Sequence, residues 1–130
     1  MPNLGDAFFI DKNGHLWIVI SEPDPILGRF VMVNLTTLDD EVEDTSCILQ
    51  PDDYPAFIEH ATVVYYNDAK LWWKTGEKGF NEIQKAGHVT MMPPVSPATL
   101  LKVQMGALKS DFFTPDYSPR VEASLVRAAP

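Results

Sequence analysis

Proton-transfer chemistry in this chain has three histidines to draw on, His15, His60 and His88, and one thiol, Cys47. An imidazole titrates near neutrality, so it can take a proton as a base or return one as an acid. His15 leaves a predicted turn and His60 precedes a predicted strand, so both can stand at one end of a small β structure. Arg29, at the head of a third predicted strand, is the nearest cation. Thr36 and Asn34, towards the end of that strand, can donate hydrogen bonds to developing negative charge, and Thr37 closes the run. A base, an acid, a cation and hydroxyl donors are the parts that a phosphodiester transesterification uses.

Each candidate has a plainer reading. His15 is also a surface residue flanking a turn, His60 a loop histidine satisfied by backbone, and His88 surface in a glycine-flanked loop. Cys47 can be paired with His60 as a nucleophile, but a lone cysteine in an apolar strand is ordinarily a small buried hydrophobe. The wide spacing of one cysteine and three histidines forms no zinc pattern. No phosphate-binding glycine loop occurs, so neither a metal nor a cofactor is expected.

These residues need a scaffold, and the 130-residue length fits one domain able to bury roughly two-thirds of its unfolded surface. An apolar share of 45% is that of a folded chain. One cysteine permits no internal disulfide, and no run is apolar enough to span a membrane, so a cytoplasmic protein is expected. Ten Lys+Arg against eighteen Asp+Glu leave a net charge of −8, which provides no global attraction for nucleic acid. Much of the acid is concentrated in Asp39, Asp40, Glu41, Glu43 and Asp44, read as a solubilising loop without the spacing of a calcium loop.

The densest aliphatic run, Phe30 to Thr37, predicts the central strand, with Val31, Val33 and Leu35 in the core. Strands are expected over Ala7–Lys12, His15–Ser21, Arg29–Thr36, Cys47–Leu49 and Thr62–Tyr66. Asn13-Gly14 reads as a two-residue hairpin turn. In the second strand Leu16, Ile18 and Ile20 share one face and Trp17 and Val19 the other, which predicts burial on both sides. Asn67-Asp68 reads as the end of the fifth strand. Ser96-Pro97 starts a helix ending near Ser110, with Leu101, Met105 and Leu108 as its buried stripe, widened by Leu100 and Val103. Gly106 weakens that helix by about 1 kcal/mol relative to alanine. Residues 1–110 are thus expected to form a small antiparallel barrel plus a C-terminal helix, mainly β with α, and residues 111–130 an extended tail.

The order of these pieces resembles that of the PemK/MazF family of toxins. The resemblance rests on Gly5-Asp6 with apolar residues after it, His15-Leu-Trp-Ile-Val-Ile-Ser21, Val33-Asn-Leu-Thr-Thr37 and Tyr54-Pro-Ala-Phe57. It covers about the first seventy residues and, loosely, the late helix. It implies an SH3-like barrel and an endoribonuclease of a toxin–antitoxin system acting on single-stranded RNA, usually a homodimer neutralised by a small antitoxin protein. Thr36 or Thr37 matches the family's Ser/Thr at the end of the third strand, while His15 or Leu16 stands where the family has arginine. Catalysis is then expected from His60, His15, Arg29 and Thr36, with Asn34, Thr37 and Trp72 binding substrate.

Trp17, Trp72, Trp73, Tyr65 and Tyr66 form a second constellation. Exposed, such rings stack on bases or anchor a protein interface, whereas in the core they pack, as is expected of Trp17. Adjacent strand residues point to opposite faces, so one of Trp72-Trp73 is expected at an interface with a second subunit. The alternative to an enzyme is therefore a non-catalytic protein-interaction or regulatory barrel of a toxin–antitoxin or mobile-element system.

Overall fold

The computed structural model describes residues 2–11, 14–72 and 79–126. Six strands lie in this part: β1 (Ala7–Ile10), β2 (Trp17–Val19), β3 (Phe30–Thr37), β4 (Ile48–Leu49), β5 (Thr62–Trp72) and β6 (Val89–Met92). Three helices accompany them: α1 (Phe80–Lys85), α2 (Pro97–Lys109) and α3 (Ser118–Ala123). The strands form one sheet, antiparallel at every pairing, in the order β4-β5-β3-β2-β1-β6. The mainly β fold with a C-terminal helix is as expected, but among the described strands the barrel is not closed. Its edges are β4 and β6, and β4 has only two residues to offer, both paired with β5. No helix among the described residues is long and apolar enough to cross a membrane.

Strand alternation builds two cores from this one sheet. Leu16, Ile18 and Ile20 with Val31, Val33 and Leu35 pack on one face, under Leu100, Val103 and Ala107 of α2. Trp17, Val19, Phe30 and Met32 face the other way and pack with Phe8, Val89 and Phe80 of α1. Double-sided burial is why β2 and β3 read as nearly continuous apolar runs. Each large aliphatic side chain so buried contributes about 1.5–3 kcal/mol.

The β1–β2 hairpin is present, but its register is not that of a two-residue Asn13-Gly14 turn. Such a turn would set Ala7 opposite Ile20, whereas Ala7 lies opposite Ile18. Phe9 and Ile10 pair only with β6, so the two arms separate before the turn. Asn13 itself lies outside the described residues.

β5 does not stop at Asn67-Asp68. Its register against β3 slips between Asn34↔Tyr65 and Met32↔Lys70, which makes the Tyr66–Ala69 stretch a bulge. Two residues of low β propensity mark an irregularity within a long strand, and the ladder resumes as far as Trp72 opposite Phe30.

Ser96 caps α2 as expected, its hydroxyl accepting from the Thr99 amide at 3.2 Å, with Pro97 in the first turn. α2 buries Leu100 and Val103 as expected, but not the stripe of Leu101, Met105 and Leu108. Thr99, Leu100, Val103, Gln104, Gly106 and Ala107 turn inward, while Met105 is 39% exposed and Leu101 and Leu108 are only partly covered. Gln104 is drawn in by stranded backbone groups. Its amide donates to the carbonyls of Ile20 (3.1 Å) and Ser124 (2.8 Å), and its oxygen accepts from the Val126 amide (3.1 Å).

Residues 111–126 are not an extended tail. Phe113 is buried against Tyr66 and Tyr117, a 3₁₀ turn spans Pro115–Tyr117, and α3 follows with Val121 fully buried in the first core. Pro115 and Pro119 read as chain breakers, yet each sits in the first turn of a helical segment, where a missing N–H costs nothing. The Ser124 hydroxyl accepts from the Glu22 amide at 2.8 Å and fastens this segment to the loop after β2.

Candidate functional site

His60 reaches its position on a braced turn. Tyr54 donates its phenol to the Pro93 carbonyl (2.5 Å), and Thr99 donates its hydroxyl to the Asp53 carbonyl (2.7 Å). Beyond them the Phe57 and Ile58 amides both bond back to the Tyr54 carbonyl, Ile58 is buried, and Phe57 packs edge-on against Phe9. The turn is thus held to the sheet and to α2 before the chain reaches His60. There the imidazole Nε2 lies 3.5 Å from the Thr37 hydroxyl, at the end of β3.

His15 approaches the same place from the other side of β3. Its Nδ1 lies 3.4 Å from the Leu35 carbonyl, a long contact in the sense of Nδ1–H donating. His15, Thr36, Thr37, Phe57, Glu59 and His60 line one groove of about 540 Å³. Four of the expected residues therefore converge, although they come from separate stretches of the chain. Glu59 is the one carboxylate among the groove's described lining residues, and no lysine or arginine is among them.

A second cavity, of about 510 Å³, adjoins the groove and shares His15 and Thr36 as lining. Asn34 lies in its wall, with Asp39, Glu41, Glu43 and Asp68 around it and the half-exposed rings of Tyr65 and Phe112 at its margin. The acidic loop is therefore a wall of a cleft, not merely a solubilising surface. Asp44, also in the lining, is buried and accepts from the Ser46 amide (3.0 Å), the Ser46 hydroxyl (2.6 Å) and the Ser110 hydroxyl (2.5 Å). The sequence offered one sign of this cleft, the polar pair Asn67-Asp68 interrupting a β-branched and aromatic run. The β5 bulge there brings Asp68 to Asn34, whose amide nitrogen donates to Asp68 at 2.7 Å.

Arg29 lines neither cavity. Its Nε bonds Asp24 at 2.7 Å, and Arg120 from α3 approaches the same oxygen at 3.3 Å. The Leu27 amide and then the Arg29 side chain, helped by the Ile26 amide, hold the Asp24 carboxyl far below the usual carboxylate range against the opposing effect of burial. Gly28, at φ +67°, lets the loop close by donating to the Asp24 carbonyl. A depressed carboxylate stabilises the fold above the aspartate range of the unfolded chain, about 3.9, and loses that contribution as pH falls through it towards the folded value. Asp24→Asn is thus expected to lower the thermal midpoint at pH 7. The gap from the parent protein should narrow steadily below about pH 4. An equal gap at pH 7 and at about pH 2 would refute this role.

Trp72 lines neither cavity either. It is half-buried in the second core, stacked on Phe30 at 6.2 Å and edge-on to Phe80 at 5.8 Å, and its indole nitrogen is buried without a partner among the described residues. Trp73 lies outside the described residues. Cys47 is buried beside Tyr66 and its thiol is pushed up, chiefly by burial, which suits packing and not nucleophilic attack. His88 is on the surface, its Nδ1 2.6 Å from the Asp11 carboxylate. Among the described residues no group of three or more His, Cys, Asp and Glu is arranged to hold a metal ion. Compared with known proteins, the chain matches no family model and no curated protein.

Proposed function

We propose that the His15–His60 groove is the working site of a divergent PemK/MazF-like toxin-type protein, and that it cleaves single-stranded RNA. One imidazole takes the proton of a ribose 2′-OH as that oxygen attacks the adjacent phosphorus. The other imidazole protonates the departing 5′-oxygen, leaving a 2′,3′-cyclic phosphate and a 5′-hydroxyl. The Thr36 and Thr37 hydroxyls donate to the charged phosphorane, and the protonated imidazole supplies the positive charge that Arg29, bound to Asp24, cannot bring. The observation that carries this reading is the convergence of His15, Thr36, Thr37 and His60 on one groove large enough for a nucleotide. A homodimer, a small neutralising antitoxin and a cytoplasmic location belong to the same reading.

The test is incubation of the purified protein with end-labelled single-stranded oligoribonucleotides, with His60→Ala and His15→Ala as comparisons. Cleavage to cyclic-phosphate ends that both substitutions abolish is the expected result. No cleavage, or cleavage indifferent to both, rejects it. The second reading is a non-catalytic interaction module, favoured by the net charge of −8 and by the acidic cleft beside the groove. It gains if binding of a basic partner occurs without any cleavage.

A further inference from the structure

We infer that the acidic cleft is a receptor for a guanidinium group, specifically an arginine side chain on a basic segment of a partner protein. This inference goes beyond the nucleolytic reading and does not depend on it. It starts from Asn34, which is 1% exposed and yet leaves its side-chain oxygen without a hydrogen-bond partner among the described residues. The amide cannot be turned to relieve this. Asp68 only accepts, so the end 2.7 Å from it must be the nitrogen, and the unpaired end must be the oxygen. A buried carbonyl oxygen with no donor costs about 1–3 kcal/mol, which a ligand N–H would recover.

The surroundings select the ligand. Asp39, Glu41, Glu43 and Asp68 make the cleft attractive to a cation. Asp39 is partly engaged in accepting from the Glu41 amide, and Asp68 is shared with Asn34 and Lys70, whereas no described contact occupies the carboxylates of Glu41 and Glu43. Tyr65, 41% exposed, and Phe112, 39% exposed, add two ring surfaces at the same cavity. A guanidinium is planar, stacks on aromatic faces, and carries five donors in a fixed fork that can meet a carbonyl and a carboxylate together. An ammonium has no plane to stack and is more strongly hydrated. The cleft shares His15 and Thr36 with the groove, so an occupant sits beside the groove and is placed to obstruct it.

Binding of fluorescent peptides that differ at one residue tests the inference: arginine, lysine, or citrulline, which keeps the shape without the charge. N-acetylarginine amide separates a small guanidinium compound from a peptide as the source. The arginine peptide is expected to bind at least tenfold tighter than the lysine and citrulline peptides and than the free amide. Its titration should shift the NMR signals of the Asn34 side-chain amide and of Tyr65. The exposed pair Glu41→Gln/Glu43→Gln should weaken it tenfold or more, and Tyr65→Leu severalfold. Asn34→Leu joins the set if it folds, but the surface variants suffice without it. His60→Ala should bind the peptide as the parent does, which keeps this result separate from the fate of the nucleolytic reading. Equal affinity for arginine and citrulline peptides, free amide bound as tightly as peptide, shifts confined to other surfaces, or indifference to the glutamate pair would each overturn the inference.

Discussion

On the proposed nucleolytic function, replacing His60 with alanine is expected to lower the rate of RNA cleavage by about 10²–10⁴-fold, the range over which a positioned acid or base contributes. The effect should fall on kcat, since the imidazole acts on a proton in transit and contributes little to holding the strand. His15→Ala should act alike, and the double variant should lose little more than either single one, because the two rings serve one concerted transfer. Chromatographic quantification of cyclic-phosphate product under single-turnover conditions measures each rate. The salt dependence is equally diagnostic. No lysine or arginine lies among the described lining residues of the groove, and five carboxylates lie in the adjoining cleft. Binding should release few counterions, so affinity should change by less than roughly tenfold between about 50 and 200 mM salt. A steep salt slope would mean that cations outside this groove hold the RNA. A His60→Ala protein that cleaves like the parent would end the proposal.

Gly106→Ala is expected to destabilise the fold by about 1–3 kcal/mol, the cost of forcing an atom into a filled core. Helix propensity alone predicts the opposite sign, a gain of about 1 kcal/mol. The structure reverses it because a Cβ at residue 106 would lie 2.7 Å from the Cys47 Cβ and overlap the Tyr66 hydroxyl. Tyr66 cannot easily give way. It is fully buried, its hydroxyl donates to the Val103 carbonyl at 2.6 Å, and its ring packs edge-on against Phe113. Burial also holds that phenol protonated, so the donor persists across the working pH range. Urea denaturation should show a lower midpoint at an unchanged slope. Adding Tyr66→Phe removes the overlapping oxygen, so the double variant should be more stable than the sum of the two single losses predicts. A Gly106→Ala protein as stable as its parent would show that α2 can shift away from β5.

Wherever one local cause dominates, the fold was legible in the chain. Alternation in β2 and β3 assigned Leu16, Ile18 and Ile20 to one core and Trp17 and Val19 to another, and both assignments agree with the packing. Ser96-Pro97 began α2 because a capping hydroxyl and a proline in the first turn act within four residues. His15, Thr36, Thr37 and His60 were nominated for their chemistry, and they do share a groove. Arg29, Trp72 and Asn34 carry suitable chemistry too but do not line it, Asn34 standing in the adjoining cleft. Arg29 is taken by Asp24, five residues before it, and Trp72 by two aromatic rings that only strand pairing and α1 bring near.

The residues of this chain by themselves determined the five strand segments from β1 to the start of β5, the start of α2 and which faces of β2 and β3 are apolar, since those follow from side-chain shape and spacing over a few positions. Only the tertiary structure decided that α2 buries Gln104, Gly106 and Ala107 beside Leu100 and Val103 in place of Leu101, Met105 and Leu108, because that turns on Gly106 meeting Tyr66 and on Gln104 meeting carbonyls from distant segments. It also decided that residues 118–123 form a helix that buries Val121 in the first core, and that the acidic loop walls a cleft lined by Asn34, whose side-chain oxygen has no partner among the described residues. Such features depend on groups far apart in sequence satisfying or excluding one another, and no local pattern records which of them will meet.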